Sequence, residues 1–84
     1  MKAFFVKQNS TGKVREVNFF VNNDGNRYYL IGTLPNDKDD DLIAIRILLS
    51  DLSIATKRFE LNNILRQELP KFNCSLVEDN DDKN

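Results

Sequence analysis

The sequence predicts a small α+β protein, in which an antiparallel sheet of three or four strands is packed by a C-terminal helix. Three observations predict this class. The pair Asp24-Gly25 stands between two apolar, aromatic runs, which is a strong hairpin signal. Apolar residues at helical spacing appear only after Ser53, so the strands precede the helix. A chain of 84 residues suffices for one domain, which we expect over residues 1–77.

The first two strands flank a polar loop. Lys2–Lys7 is a short apolar run and predicts the first strand. Residues 9–13 include Gly12, which can adopt the positive φ that such a loop requires. Val14 then begins the second strand, and Pro35, which cannot donate a ladder hydrogen bond, ends the third. The first three strands therefore form a meander.

The central hairpin defines the two faces of this sheet. With Asp24 and Gly25 as its loop, Val21 lies opposite Tyr28, and side chains alternate between the faces from there. The predicted core face carries Val17, Phe19, Val21, Tyr28, Leu30 and Leu34. The opposite face carries Glu16, Asn18, Phe20, Arg27, Tyr29, Ile31 and Thr33. A purely solvated face does not need the aromatic pair in the middle of this second set, which makes the pair the best lead to a function.

Residues 42–49 are open to two interpretations. A strand would place Ile43, Ile45, Ile47 and Leu49 on one face, and β-branched residues at every second position favour it. A helix would instead be capped and charged at its N-terminus by the acidic residues 37–41. We favour the fourth strand, because a period of two is specific to strands.

The helix is predicted over Ser53–Leu69. Ile54, Leu61, Ile64, Leu65 and Leu69 form one apolar stripe, and Pro70 ends it. In the alternative interpretation, residues 54–59 extend the fourth strand and the helix begins at Asn62. Phe72 and Leu76 would pack the returning chain over the sheet. Residues 78–84 have no apolar group to bury, and we expect a disordered acidic tail.

The composition argues against catalysis. The chain has no histidine and a single cysteine, Cys74, which excludes a Cys/His zinc site, an intrachain disulfide and an imidazole base. Cys74 is interpreted as a small buried hydrophobe. The acidic residues 37–41 do not form an EF-hand, because Leu42 and Leu48 stand where that loop needs Gly and Glu. We therefore expect no enzymatic activity, no metal and no cofactor.

Charge is segregated along the chain, although its net value is only −1. Residues 1–34 hold five basic and two acidic side chains (+3), and residues 35–51 hold two and five (−3). Residues 52–77 hold four and two (+2), and residues 78–84 hold one and four (−3). This pattern suits a polarised binding surface. No apolar run is long enough for a membrane span or a signal peptide, so we expect a cytoplasmic protein.

The candidate partner-binding residues are cations and apolar side chains of the strands: Lys13, Arg15, Phe20, Arg27, Tyr29 and Ile31. Aromatic rings that stack bases and cations that follow phosphates are the components of a single-stranded nucleic-acid platform. The order of three strands, a fourth strand and a helix resembles whirly-type single-strand binders and a transcriptional coactivator of the same topology. In the competing interpretation, the aromatic pair only stabilises the sheet, covered by the helix or by a second copy of the chain.

The segment Val21-Asn22-Asn23-Asp24-Gly25-Asn26-Arg27-Tyr28 is similar to the central hairpin of Cas9-inhibiting anti-CRISPR proteins of Listeria prophages. That resemblance implies a compact α+β inhibitor, encoded by a phage, that binds a bacterial defence or host protein. The sequence thus predicts a non-catalytic protein-binding module. Single-stranded nucleic-acid binding is the alternative, and a homodimer is left open.

Overall fold

The structure is a computed structural model that describes residues 2–35, 42–50, 52–53 and 57–77. Its fold is α+β, and the antiparallel sheet has five strands rather than three or four. The strands are β1 (Lys2–Gln8), β2 (Val14–Asp24), β3 (Arg27–Pro35), β4 (Leu42–Leu49) and β5 (Cys74–Leu76). Helix α1 (Arg58–Glu68) lies between β4 and β5 in the chain, followed by a 3-10 turn (Leu69–Phe72). The strands are arranged in the order β4-β3-β2-β1-β5.

Strand β2 pairs with a different neighbour in each half. Its residues 14–19 pair with β1, whereas residues 20–24 pair with β3. The sheet curls into a half-barrel. The concave side holds the core, and the convex side is referred to below as the outer face.

The loop of the central hairpin is displaced by one residue from its predicted place. Asp24 pairs with Arg27, so the loop is Gly25-Asn26 rather than Asp24-Gly25. Gly25 has φ +66°, and the only non-glycine residue of the described chain with a positive φ is Asn73. A positive φ at the first loop residue alone is the pattern of a type II′ turn, which fits the twist of a two-residue hairpin.

The predicted cross-strand pairs are accordingly wrong, but the predicted faces are right. Val21 lies opposite Leu30 instead of Tyr28, a shift of two positions. Because side chains alternate with a period of two, a shift of two leaves every residue on its predicted face. The buried members of the core face are Val17, Phe19, Leu30 and Leu34, while Tyr28 is half-buried and Val21 exposed.

Residues 42–49 form a strand, so the helical alternative is wrong. All eight pair with β3, from Leu42 opposite Pro35 to Leu49 opposite Tyr28. Ile45, Ile47 and Leu49 are buried and Ile43 is half-buried. The alternation of β-branched residues therefore predicted the strand over residues 42–49 correctly.

Helix α1 begins at Arg58, later than Ser53 and earlier than Asn62, the two predicted starts. Lys57 has an extended backbone, with φ −117° and ψ 121°, which ends the helix on its N-terminal side. Leu61, Leu65 and Leu69 of the predicted stripe are fully buried, whereas Phe59, off the stripe, is 71% exposed. Ile54 lies outside the described residues.

The fifth strand is the element that the sequence prediction lacked. After the 3-10 turn around Pro70, Asn73 adopts a left-handed conformation, with φ 58° and ψ 37°, and redirects the chain. Residues 74–76 then pair with β1, Cys74 lying opposite Gln8 and Leu76 opposite Val6. Three residues are too few to show an alternating pattern, so their pairing depends on the open edge of β1.

The core joins the sheet to the helix. Phe4 and Phe19 meet edge to face, with ring centroids 5.9 Å apart. The Arg58 guanidinium lies 4.2 Å from the centroid of the Phe4 ring and donates a 3.2 Å hydrogen bond to the carbonyl oxygen of Ala3. These contacts hold the first turn of α1 against β1. The predicted acidic connector 37–41 and the acidic tail 78–84 lie outside the described residues.

Candidate interaction surface

The outer face carries a cluster of side chains on three neighbouring strands, here called the outer patch: Phe20, Tyr29, Ile31, Arg46 and Leu48. Phe20 lies opposite Ile31, which lies opposite Arg46 on the other side. One row further along the strands, Leu48 lies opposite Tyr29. The strand pairing thus places five side chains in two adjacent rows.

The outer patch is exposed although it is largely apolar. Phe20 is 46% and Leu48 57% exposed, while Tyr29 and Ile31 are half-buried. Helix α1 cannot cover them, because its buried leucines belong to the core on the concave side. A contiguous apolar patch on the surface of a small protein is typical of an interaction site. The interpretation in which the helix covers the aromatic pair is therefore wrong.

Arg46 organises one side of the patch. Its guanidinium carbon lies 4.0 Å from the centroid of the Tyr29 ring, which is a cation–π contact. Its Nη2 also donates a 3.4 Å hydrogen bond to Oδ2 of Asp24. Both side chains of this ion pair are more than half exposed, so the pair contributes little to stability and can be exchanged for another carboxylate.

The structure does not bring the predicted cations together. Arg27 is exposed beside the hairpin loop, near the outer patch. Lys13 precedes the other end of β2, an eleven-residue strand, so roughly 30 Å of strand separates it from Arg27. Arg15 lies opposite Val6 of β1 and shares the inner face with Val17, where it is half-buried. Arg15 and Lys13 therefore do not belong to the surface formed by Phe20, Tyr29 and Ile31.

Sequence reasoning missed Arg46 and Leu48 as members of the site. Both belong to β4, and only the strand interpretation places them on the face opposite Ile45 and Ile47. The available signal was the period-two alternation of residues 42–49. The neighbouring strand that they join follows from the tertiary structure.

Two other features lie outside the patch. The outer face also exposes Phe5, Val14 and Val77, toward the β1 and β5 side of the sheet. A shallow cleft of about 250 Å³ lies between the end of β4 and α1, lined by Ile47, Leu48, Ser50, Ile64, Gln67 and Glu68. Leu48 is shared between the cleft and the outer patch.

Two observations concern metal binding and thiol chemistry in the described residues. Within them, no group of three or more His, Cys, Asp or Glu side chains is placed to hold a metal ion. Cys74 is buried, its thiol lies 3.3 Å from the carbonyl oxygen of Phe72, and burial raises its pKa. A thiol with a raised pKa is a poor nucleophile. No helix in the described part of the chain is long and apolar enough to cross a membrane.

The class that the fold and the surface define is a small α+β protein with a curled antiparallel sheet and an exposed apolar patch on its convex side. Comparison of the chain with protein-family models, with curated proteins and with solved structures finds no match. A function is therefore inferred from the surface itself.

Proposed function

We propose that the chain is a non-catalytic protein-binding module that holds its partner through the outer patch. One observation carries the proposal: Phe20 and Leu48 are about half exposed on the face of the sheet that the core does not use. Exposed aromatic and aliphatic side chains supported by half-buried neighbours are typical of the centre of a protein interface. Burial of Phe20 against a partner removes apolar area from water at no cost to the core.

The charges beside the patch define the chemistry of the partner. Arg46 is the cation within the patch, the exposed Arg27 lies beside it, and Asp24 is the carboxylate that contacts Arg46. A partner surface with an apolar centre and carboxylates at its margin would bury Phe20 and satisfy both guanidinium groups. Asp24 belongs to the hairpin that resembles anti-CRISPR inhibitors. On that resemblance we also propose that the chain is an inhibitor from a phage or other mobile element, and that its partner is a bacterial defence or host protein.

Geometry favours a protein over single-stranded nucleic acid. A base can stack on Tyr29 only after Arg46 leaves the ring face that it now occupies at 4.0 Å. The cations predicted to follow the phosphates are also dispersed, since Arg15 points to the inner face and Lys13 lies at the far end of β2.

A capture experiment tests the proposal. The tagged chain is used to retrieve partners from bacterial lysate, with and without nuclease, and as the Phe20→Ser variant. We expect a nuclease-resistant partner that Phe20→Ser loses. The matched control is Phe59→Ser, the same substitution at the more exposed Phe59 on α1.

Two results would contradict the proposal. Capture that disappears with nuclease would support the nucleic-acid alternative. Equal capture by the wild type and Phe20→Ser would show that the outer patch is not the binding surface. Urea denaturation of both variants separates lost binding from lost folding.

A further inference from the structure

Strand β4 lies at one end of the strand order of the described sheet. Among the described residues, no strand pairs with the side of β4 that faces away from β3. Proteins shield such edges with lysines, prolines, bulges or a covering helix or loop. Leu42 and Leu48, near the two ends of β4, are 65% and 57% exposed, so no described segment covers their side chains. The eight residues of β4 contain neither lysine nor proline, pair with β3 without interruption, and carry one charge, Arg46. An apolar edge of this length is a template for another strand.

We propose that β4 pairs with β4 of a second copy of this chain, antiparallel, to form one sheet across a two-fold dimer. The symmetry restricts the register. A two-fold axis perpendicular to the sheet keeps outward side chains outward, so each outward residue of β4 must lie opposite another outward residue. The outward residues are Leu42, Ala44, Arg46 and Leu48. Three central registers satisfy this condition.

One of these registers is self-complementary. With the axis at Ile45, Leu42 lies opposite the partner's Leu48, and Ala44 lies opposite the partner's Arg46. Leu42 and Leu48 are 65% and 57% exposed, so this register covers the four most exposed leucine side chains of the two edges. It also gives Arg46 the small Ala44 as its neighbour, which leaves room for the guanidinium above Tyr29.

The other two registers lose these contacts. An axis at Arg46 would place the two Arg46 side chains directly opposite each other, which is destabilising. An axis at Ala44 would place Leu42 opposite the partner's Arg46 and leave Leu48 without an apolar partner. On the inner side, the favoured register puts half-buried Ile43 opposite the partner's Ile47. Ile47 is already buried within its own copy, so the newly covered apolar surface lies mainly on the outer face, at Leu42 and Leu48.

Charge substitutions at Ala44 test both the dimer and its register. In the favoured register, Ala44→Glu creates two contacts with the partner's Arg46, and Ala44→Lys creates two repulsions. Sedimentation equilibrium of the full chain is expected to show a monomer of 9.7 kDa in exchange with a dimer. From the size of cross-strand charge pairs, we expect Ala44→Glu to tighten the dimer roughly threefold to tenfold and Ala44→Lys to weaken it by a similar factor.

The matched controls are Thr33→Glu and Thr33→Lys. Thr33 lies opposite Ala44 on β3, is exposed on the same face, and is one strand further from the axis. These variants change the net charge equally and are expected to move the dimer constant less than twofold. Far-UV circular dichroism confirms that each variant is folded.

Each of the following results would contradict the dimer or its register. A wild-type chain that sediments as a monomer at every soluble concentration excludes the dimer. If Glu and Lys at position 44 weaken the dimer equally, Ala44 meets its own copy and the register is wrong. A dimer whose dissociation constant neither substitution changes would have its interface elsewhere on the surface. Binding of an extended peptide by β4 in place of a second copy would also contradict the proposal.

Discussion

Gly32→Ala is predicted to destabilise the protein, although alanine is a better strand residue than glycine. Gly32 lies on the inner face of β3, where a Cβ atom would stand 2.7 Å from Cε1 and 2.8 Å from Cδ1 of Phe19, and 2.9 Å from Cγ1 of Val17. Unstrained carbon contacts lie at about 3.5 to 4.0 Å. Phe19 and Val17 are both buried, so neither can move aside easily.

The magnitude follows from two opposing effects. Overpacking of a dense core costs about 1 to 3 kcal/mol. Alanine also lowers the backbone entropy of the unfolded chain, which offsets this cost by about 0.5 to 1 kcal/mol. Three contacts below 3.0 Å with buried side chains place the overpacking cost in the upper part of its range, at about 2 to 3 kcal/mol, so the free energy of unfolding should fall by about 1 to 2.5 kcal/mol. With an m-value of about 1 kcal/mol/M for a small domain, the urea midpoint should fall by roughly 1 M or more.

The assay is urea denaturation followed by circular dichroism, with Thr33→Ala as the control. Thr33 is exposed on the outer face, and its replacement should change stability by less than about 0.5 kcal/mol. Phe19→Leu removes the ring that the new methyl group meets, so the double variant should lose less stability than the two single losses combined. A midpoint for Gly32→Ala equal to or above that of the wild type would refute the close approach of β2 and β3.

Three further predictions concern the turn, the partner and the cysteine. Gly25→Val should lower the free energy of unfolding by about 1 kcal/mol or more in urea denaturation, because Gly25 has φ +66° and valine disfavours a positive φ. Asn26→Val should lower it less, and equal losses from the two variants would show that the loop lies elsewhere. Partner binding through Phe20 should depend weakly on salt in an anisotropy titration, and steep loss with a slope near −0.7 per phosphate contacted would indicate single-stranded nucleic acid. Burial raises the pKa of Cys74 above the ordinary 9.0, so the thiol of the unfolded chain loses its proton at a lower pH than the thiol of the folded chain. The free energy of unfolding should therefore fall as the pH rises from about 9. Cys74→Ala should remove this part of the pH dependence, and an unchanged pH dependence in that variant would contradict the prediction.

The sequence alone determined the properties that depend on a local period. It assigned residues 42–49 to a strand, placed Phe20, Tyr29 and Ile31 on the outer face, and located positive φ angles at Gly12 and Gly25. The predicted faces are correct although the predicted hairpin register is wrong by two positions, because a shift of two residues leaves every side chain on the same face of the sheet. The α+β class followed from the same alternation and from the leucine spacing of α1.

Only the tertiary structure decided which elements meet. Residues 74–76 pair with the edge of β1 that β2 does not occupy, and the partner of β2 changes from β1 to β3 between Phe19 and Phe20. The outer patch acquires Arg46 and Leu48 through the pairing of β3 with β4, which no spacing within one strand encodes. Contacts between residues distant in sequence form only when the whole core packs. The free energy gained by that packing depends on all the core residues together, so no short segment of the sequence predicts these contacts.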